Sequence, residues 1–219
     1  MKTNHKIINM LLCTTLILGV TTSNVSAKKN VAASTPKLAF SENGKPRALD
    51  IYWHNMAQCE TGGDWKNKGT WSGGLGIYNL TWSGYGGKEF APKAELATID
   101  EQIIVANRIS TQGYQTKNEF RTLEDRQKNK PFFREPVGFG GWGCKKNVGN
   151  PVLFKKFPAK TLFHQYHLGE KNNYVFNLQK ILGMRYIDGL YGPYTDRYYN
   201  RFMSKYRKYL IAEYEKYKQ

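Results

Sequence analysis

The chain has 219 residues, 14% of them aromatic, with 33 Lys and Arg against 17 Asp and Glu for a formal net charge of +16. That length gives one sizeable core or two small ones, and the aromatics supply enough buriable surface to exclude a disordered chain at 40% hydrophobic content. Collagen-like, coiled-coil and multi-span membrane classes are excluded, because the sequence shows no period and no second long apolar run. The charge calls for a polyanionic neighbour without choosing among nucleic acid, anionic lipid and an acidic wall polymer.

Residues 1–27 read as a secretory signal peptide. Lys2 and Lys6 form its positive start, Ile7 to Val20 its mostly apolar core, and Val25-Ser26-Ala27 a small-residue cleavage site before Lys28. Asn9, Thr14 and Thr15 interrupt the apolar core, which makes it a poor spanning helix. No stable membrane anchor is therefore expected after cleavage; an uncleaved anchor is the rival reading. Cys13 leaves with the signal, so Cys59 and Cys144 remain as an even pair in an oxidising compartment. A disulfide is favoured there over two separate buried thiols, and it would close a loop of about 86 residues, worth ~4–5 kcal/mol in the chain-entropy account.

Residues 28–46 have the composition of a linker. From Arg47 the spacing predicts a helix in which Leu49, Trp53, Met56 and Glu60 share one face, stopped by Gly62-Gly63. Aromatics and glycines mingle over 63–87, predicting a small hairpin before a helical turn. Thr98 as N-cap, Glu101 completing a capping box and Gly113 as the stop predict a helix over 98–113, with Ile99, Ile103, Ala106 and Ile109 as its buried stripe. Residues 115–135 are charged and lack such a stripe, so they read as an insertion that forms a lid, lengthens a groove or is tolerated on the surface. Pro136 to Cys144 returns an apolar piece to the core, and 151–170 is a connector. In a second small unit over 171–219, Val175, Leu178 and Leu182 mark one helix face and Asp188-Gly189 a turn. A last helix, Thr195 to Tyr217, presents Tyr198, Phe202, Tyr206, Tyr209 and Tyr217 as a broad face, read first as core and second as a sugar-stacking surface.

Glu60 is the residue fitted for chemistry. It lies on the apolar side of its helix and in the last turn, at the negative end of the helix dipole, and both placements disfavour an anion. An acid that keeps its proton is what protonating a glycosidic oxygen requires; the bland alternative is a glutamate pointing at water. Trp65, Trp71, Tyr78, Trp82 and Tyr85 follow, interleaved with Gly73, Gly74, Gly84, Gly86 and Gly87. Sugar rings stack on aromatics, and glycines let backbone amides approach hydroxyls, so these residues read as a cleft or, more plainly, as an aromatic core. No second carboxylate is matched to Glu60: Asp50 is two to three turns away along the rod, and Asp64, Glu89 and Glu95 do not stand out.

MAQCETGGDW (56–65), SGGLGIYNLTW (72–82), YGG (85–87), FAPKAELAT (90–98) and EQIIVANRI (101–109) resemble the resuscitation-promoting factor family. That family belongs to a wider transglycosylase-like group with a reduced lysozyme-like fold. The resemblance runs across about 47–113 and implies an α+β domain over 47–150, mainly helical with a short hairpin. It implies that Glu60 is the catalytic acid and that Cys59 pairs with Cys144. The candidate substrate-binding set is Trp65, Gly73, Gly74, Tyr78, Thr81, Trp82, Gln102 and Trp142. The chain departs from the family in having Gly76 where Gln commonly stands, and in the length of the segment before Cys144. The implied reaction cuts the β-1,4 bond between N-acetylmuramic acid and N-acetylglucosamine in peptidoglycan, with no cofactor. The product, anhydro or hydrolysed, stays open.

Residues 173–202 resemble a small three-helix peptidoglycan-binding domain through Leu178-Gln179, Leu182-Gly183, Asp188-Gly189, Tyr191-Gly192, Thr195 as the N-cap of the final helix, and Phe202. Anionic wall polymers then become the partner for the charge. Nucleic acid is not expected, since no recognition motif is present, and no metal site is assigned, because His164 and His167 lack companion ligands. The expectation is a secreted or wall-associated enzyme; the rival is a wall-binding or resuscitation-signalling protein whose cleft has decayed.

Overall fold

Arg47–Ala48 (β1) pairs antiparallel with Leu153–Phe154 (β6), so the helix expected from Arg47 begins only at Asp50. The computed structural model describes residues 40–117, 119 and 121–218; the signal-peptide segment and most of the linker lie outside them. The central helix α1 is Asp50–Thr61. A hairpin of Trp71–Ser72 (β2) and Ile77–Tyr78 (β3) follows, then α2 (Asn79–Gly84). Helix α3, Ile99–Thr111, opens with the expected capping box between Thr98 and Glu101, and Gly113 follows its end at φ 69°.

The buried side of α3 corrects the expected stripe. Ile103, Ala106 and Ile109 are buried, but Ile99 is 39% exposed, while Gln102, Asn107 and Ser110 are internal. These polar residues are inside because α3 is enclosed on more than one side and their hydrogen bonds are met. Asn107, for example, accepts the Ala48 amide on Oδ1 at 3.0 Å and donates to the Ile103 carbonyl at 2.9 Å.

The insertion is a hairpin, Tyr114–Gln115 (β4) with Phe133–Arg134 (β5), carrying the short helix α4 (Leu123–Gln127). Phe139 and Trp142 return to the core, as expected of 136–144, and α5 (Lys145–Val148) and α6 (Ala159–Leu162) follow. The C-terminal region holds α7 (Asn173–Ile181) and α8 (Pro193–Tyr217). Residues 171–218 thus hold two helices, where the resemblance implied three; α6 lies ahead of residue 171.

Packing does not divide the chain near residue 171: Leu162, Ile181, Met203, Leu210 and Tyr217 share one hydrophobic cluster with Trp53, Met56 and Trp82. The described residues all fall within one compact unit. Two polar links explain it. Leu49, the N-cap of α1, offers no side-chain cap; Glu213 of α8 does so instead, both its oxygens accepting the Asp50 N–H at 3.1 Å. Lys216 reaches Asp50 at 2.9 Å and Asp100 at 2.7 Å. Thr195 is likewise not an N-cap. Gly192 holds that place with Pro193 next, and Thr195 is buried, its hydroxyl donating to the Leu190 carbonyl at 3.2 Å. Gln179 organises the Asp188-Gly189 turn, accepting both their amides on Oε1 at 3.0 and 2.8 Å. Among the described residues no helix is long and apolar enough to cross a membrane.

Candidate active site

Helix α1 ends where two glycines take positive φ, 67° at Gly62 and 82° at Gly63, which lets the Gly63 amide close back on the Ala57 carbonyl at 3.0 Å. Thr61 ties that end to the hairpin through a hydroxyl bond to the Gly74 carbonyl at 2.8 Å. Cys59 is bridged to Cys144, with Cα atoms 5.9 Å apart. Across the bridge, the Cys144 N–H donates to Glu60 Oε1 at 2.8 Å. Glu60 is half-buried, so the apolar enclosure expected from its helix face is not what holds it; a disulfide and a backbone amide are.

A groove of about 900 Å³ runs along the hairpin and α2. Trp71, Gly76 and Tyr78 of the hairpin, Leu80 and Thr81 of α2, and Trp142 contribute to its lining. Trp71 is 63% exposed, with its ring 5.1 Å from that of Tyr78. Trp142 is fixed by its indole N–H on the Leu75 carbonyl at 2.9 Å and packs against Trp53. Glu60 is not itself in the lining. Its partner Cys144 follows the lining residues Gly141 and Trp142 in the chain, and a Cβ on the intervening Gly143 would stand 3.7 Å from Glu60 Oε1. Tyr85 and Tyr114 close the groove behind α2 with rings 4.7 Å apart, and burial pushes both phenols above their ordinary value, keeping them neutral.

The substrate-binding set therefore splits. Tyr78, Thr81 and Trp142 line the groove. Trp82 is fully buried with its indole N–H on the Ala91 carbonyl at 2.8 Å, and Gln102 is fully buried as well. The Gln102 carbonyl accepts the Gly74 amide at 2.9 Å, and its amide donates to the carbonyls of Trp65 at 3.0 Å and Ala97 at 3.2 Å. Both side chains are enclosed in the fold and lie outside the groove lining, unlike the expected substrate contacts. Gly73 and Gly74 are buried too, and their value is close approach: a Cβ would come within 2.3 Å of Gln102 Oε1 at Gly73 and 2.5 Å of the Trp65 ring at Gly74. Trp65 is half-buried between Gly74 and His54, outside the groove lining. Of the three roles open to the insertion, the lining fits the lengthening of a groove: it supplies Lys117, Arg121, Phe132 and Phe133, which no local pattern marks individually.

Three of the other candidate carboxylates are engaged elsewhere: Asp50 is held by Arg47 and Lys216, Glu89 by Arg108, and Asp64 accepts the Lys66 amide at 2.9 Å. Glu95 is buried outside the groove lining, with its Oε2 lacking a hydrogen-bond partner. His164 pairs with Glu170 at 2.7 Å, and among the described residues no cluster of His, Cys, Asp and Glu is arranged to hold a metal.

With this geometry in place, comparison with known proteins is specific. Resuscitation-promoting factor RpfA of Mycobacterium tuberculosis (strain ATCC 25618 / H37Rv) is 46% identical over 69 residues, 30% of this chain and 17% of the relative. Resuscitation-promoting factor Rpf1 of Corynebacterium glutamicum is 47% identical over 70 residues, 31% of this chain and 36% of the relative. Rpf2 of the same organism is 36% identical over 95 residues, 42% and 25% of the two chains. The chain thus spans a minor part of these curated relatives. Residues 47–116 match the family described as the transglycosylase-like domain, a stretch that carries Glu60, the hairpin and α3 and stops as the insertion begins.

Proposed function

We propose that this protein cleaves peptidoglycan glycan strands at the β-1,4 bond between N-acetylmuramic acid and N-acetylglucosamine, with Glu60 as general acid and then base. One observation carries the reading: a single glutamate is fixed at a helix end by the Cys59–Cys144 bridge and the Cys144 amide, and Cys144 stands two residues along the chain from Trp142, which lines a groove with Trp71 and Tyr78. Asp50, Asp64 and Glu89 are tied up in other contacts and Glu95 is buried outside the groove lining, which favours a single-acid route. Glu60 gives its proton to the leaving oxygen while the substrate's own 2-acetamido group stabilises the oxocarbenium-like centre. Glu60 then takes a proton from the C6 hydroxyl, leaving a 1,6-anhydro end, or from water, leaving a reducing end.

The mature chain is exported, on the reading of residues 1–27, and its charge partners anionic wall polymers. On α8, Arg197, Arg201, Lys205 and Lys208 are all exposed and fall on one helical face. Purified wall incubated with the protein should release muropeptides, and Glu60→Gln should abolish the release while still binding wall. Equal release by mutant and parent would leave a wall-binding or signalling role in place of the enzyme. Mass spectrometry separates the two products, since anhydro ends are one water lighter.

A further inference from the structure

The insertion after α3 is built against the groove rather than laid over the surface. Gly113 makes the fold-back possible: at φ 69°, a Cβ there would stand 2.3 Å from the Arg134 carbonyl oxygen and 2.7 Å from the Phe133 ring. The next residue, Tyr114, lies directly on Gly84, where a Cβ would come within 2.5 Å of its ring. These contacts seat the β4–β5 hairpin on α2, so its residues share the groove lining with Trp71, Tyr78 and Thr81.

The charges in this lining are not equivalent. Arg134 is paired with Glu119. Its guanidinium and that of Arg121 both lie on the ring of Phe132, at 5.4 and 5.1 Å. Among the described residues Arg121 and Lys117 have no carboxylate partner, both are exposed, and Glu135 is the one other acid in the lining besides Glu119. A guanidinium already laid on an aromatic face loses less freedom when it takes an anion than one free in water.

We propose that the insertion forms a subsite for carboxylate-bearing side branches of the glycan, with Arg121 and Lys117 as the anion-binding groups and Phe132 as the platform that orients Arg121. The inference rests on the reading of peptidoglycan as substrate. In that polymer alternate sugars carry short peptides rich in carboxylates, which project from the strand axis. A strand stacked along Trp71 and Tyr78 shares one groove with Lys117 and Arg121, which places these cations where its branches can meet them. The groove then selects peptide-bearing strands over bare ones.

The test compares intact wall sacs with the same sacs stripped of their peptides by an amidase. Binding is read with the full chain carrying Glu60→Gln, with and without Lys117→Ala and Arg121→Ala together. Exposed replacements of this kind leave the fold in place. The expected result is tighter binding to intact than to stripped sacs, with the added pair lowering the ratio about three- to tenfold, toward one. Equal loss on both kinds of sac, no loss, or a loss that follows removal of wall phosphate polymers instead of peptides would overturn the proposal. Peptide-dependent binding without muropeptide release by the parent would uphold the subsite and sink the catalytic reading. Release that ignores the peptides in parent and Lys117/Arg121 variant alike would do the reverse.

Discussion

The backbone N–H of Cys144 donates to Glu60 Oε1 at 2.8 Å, while the sulfur of the same residue is bonded to Cys59, the neighbour of the acid. One residue from a distant segment therefore fixes both the helix end and the carboxylate it carries. Replacing both cysteines by serine should act twice. Stability should fall by about 4–5 kcal/mol through the freed loop entropy, read as a lower urea midpoint. At a temperature where the variant is still folded, its rate of muropeptide release should fall further than its folded fraction does, because the amide no longer holds Glu60. A rate that tracks the folded fraction would show that the bridge serves stability alone.

Gln102 and Trp71 should give opposite signatures. Gln102→Ala removes a fully buried side chain that satisfies Gly74, Trp65 and Ala97. It should cost roughly 2–4 kcal/mol from the cavity and the stranded backbone groups. Trp71→Ala, at 63% exposure, should change stability by less than about 0.5 kcal/mol while raising KM on purified wall. If Gln102→Ala left the unfolding midpoint alone and raised KM, the scaffold assignment would be wrong.

What could be read from the sequence was local. The Thr98–Glu101 capping box, the hairpin before α2, the glycine stop after Glu60 and the cysteine pair all follow from residues close together in the chain or from simple counting, and each is present. Long-range partners were not legible. A glutamine on a helix looks solvent-facing until the loop carrying Gly73 and Gly74 is folded over it. Nothing near Asp50 announces that Glu213 caps its helix, so the tie between the first and last helices is not legible in the sequence. The role of the insertion stays open in the sequence for the same reason: its charged residues line a groove whose other residues come from the first hairpin, α2, α3 and the 136–144 segment.

The glycines rank by what surrounds them. Gly74→Ala forces a methyl to within 2.5 Å of the Trp65 ring, and Gly73→Ala adds a contact of 2.3 Å with Gln102 to a positive φ of 76°. Gly76 has a positive φ of 54° but nothing within 4 Å, so its replacement by Ala should cost only the backbone strain, about 1 kcal/mol. Thermal unfolding should place both Gly73→Ala and Gly74→Ala well below Gly76→Ala. An inverted order would mean that the hairpin does not sit as tightly on Trp65 and Gln102 as these distances require.

Glu213 carries a pH signature. It is 2% exposed; burial first, and the charge of Asp50 second, push its carboxyl well above the ordinary value of 4.5, with Arg47 and Lys216 pulling the other way. The folded protein thus keeps this proton to higher pH than the unfolded chain does. As pH rises past 4.5 the unfolded chain gives up its proton first, so the contribution of Glu213 to stability declines until the folded carboxyl also ionises. Glu213→Gln keeps an oxygen for the Asp50 amide and cannot ionise, so the difference in unfolding free energy between variant and parent should grow in the variant's favour across that window. Taking the difference matters, because burial lowers the value of His54 and Arg108 lowers that of Glu42, and both give slopes of the opposite sign. Glu213→Ala, which leaves α1 uncapped, should lose roughly 1–3 kcal/mol relative to Glu213→Gln at every pH. Urea unfolding from pH 4 to 8 reads all three proteins. A parent that gains on Glu213→Gln as pH rises would mean that the cap is held as a carboxylate by Arg47 and Lys216 instead.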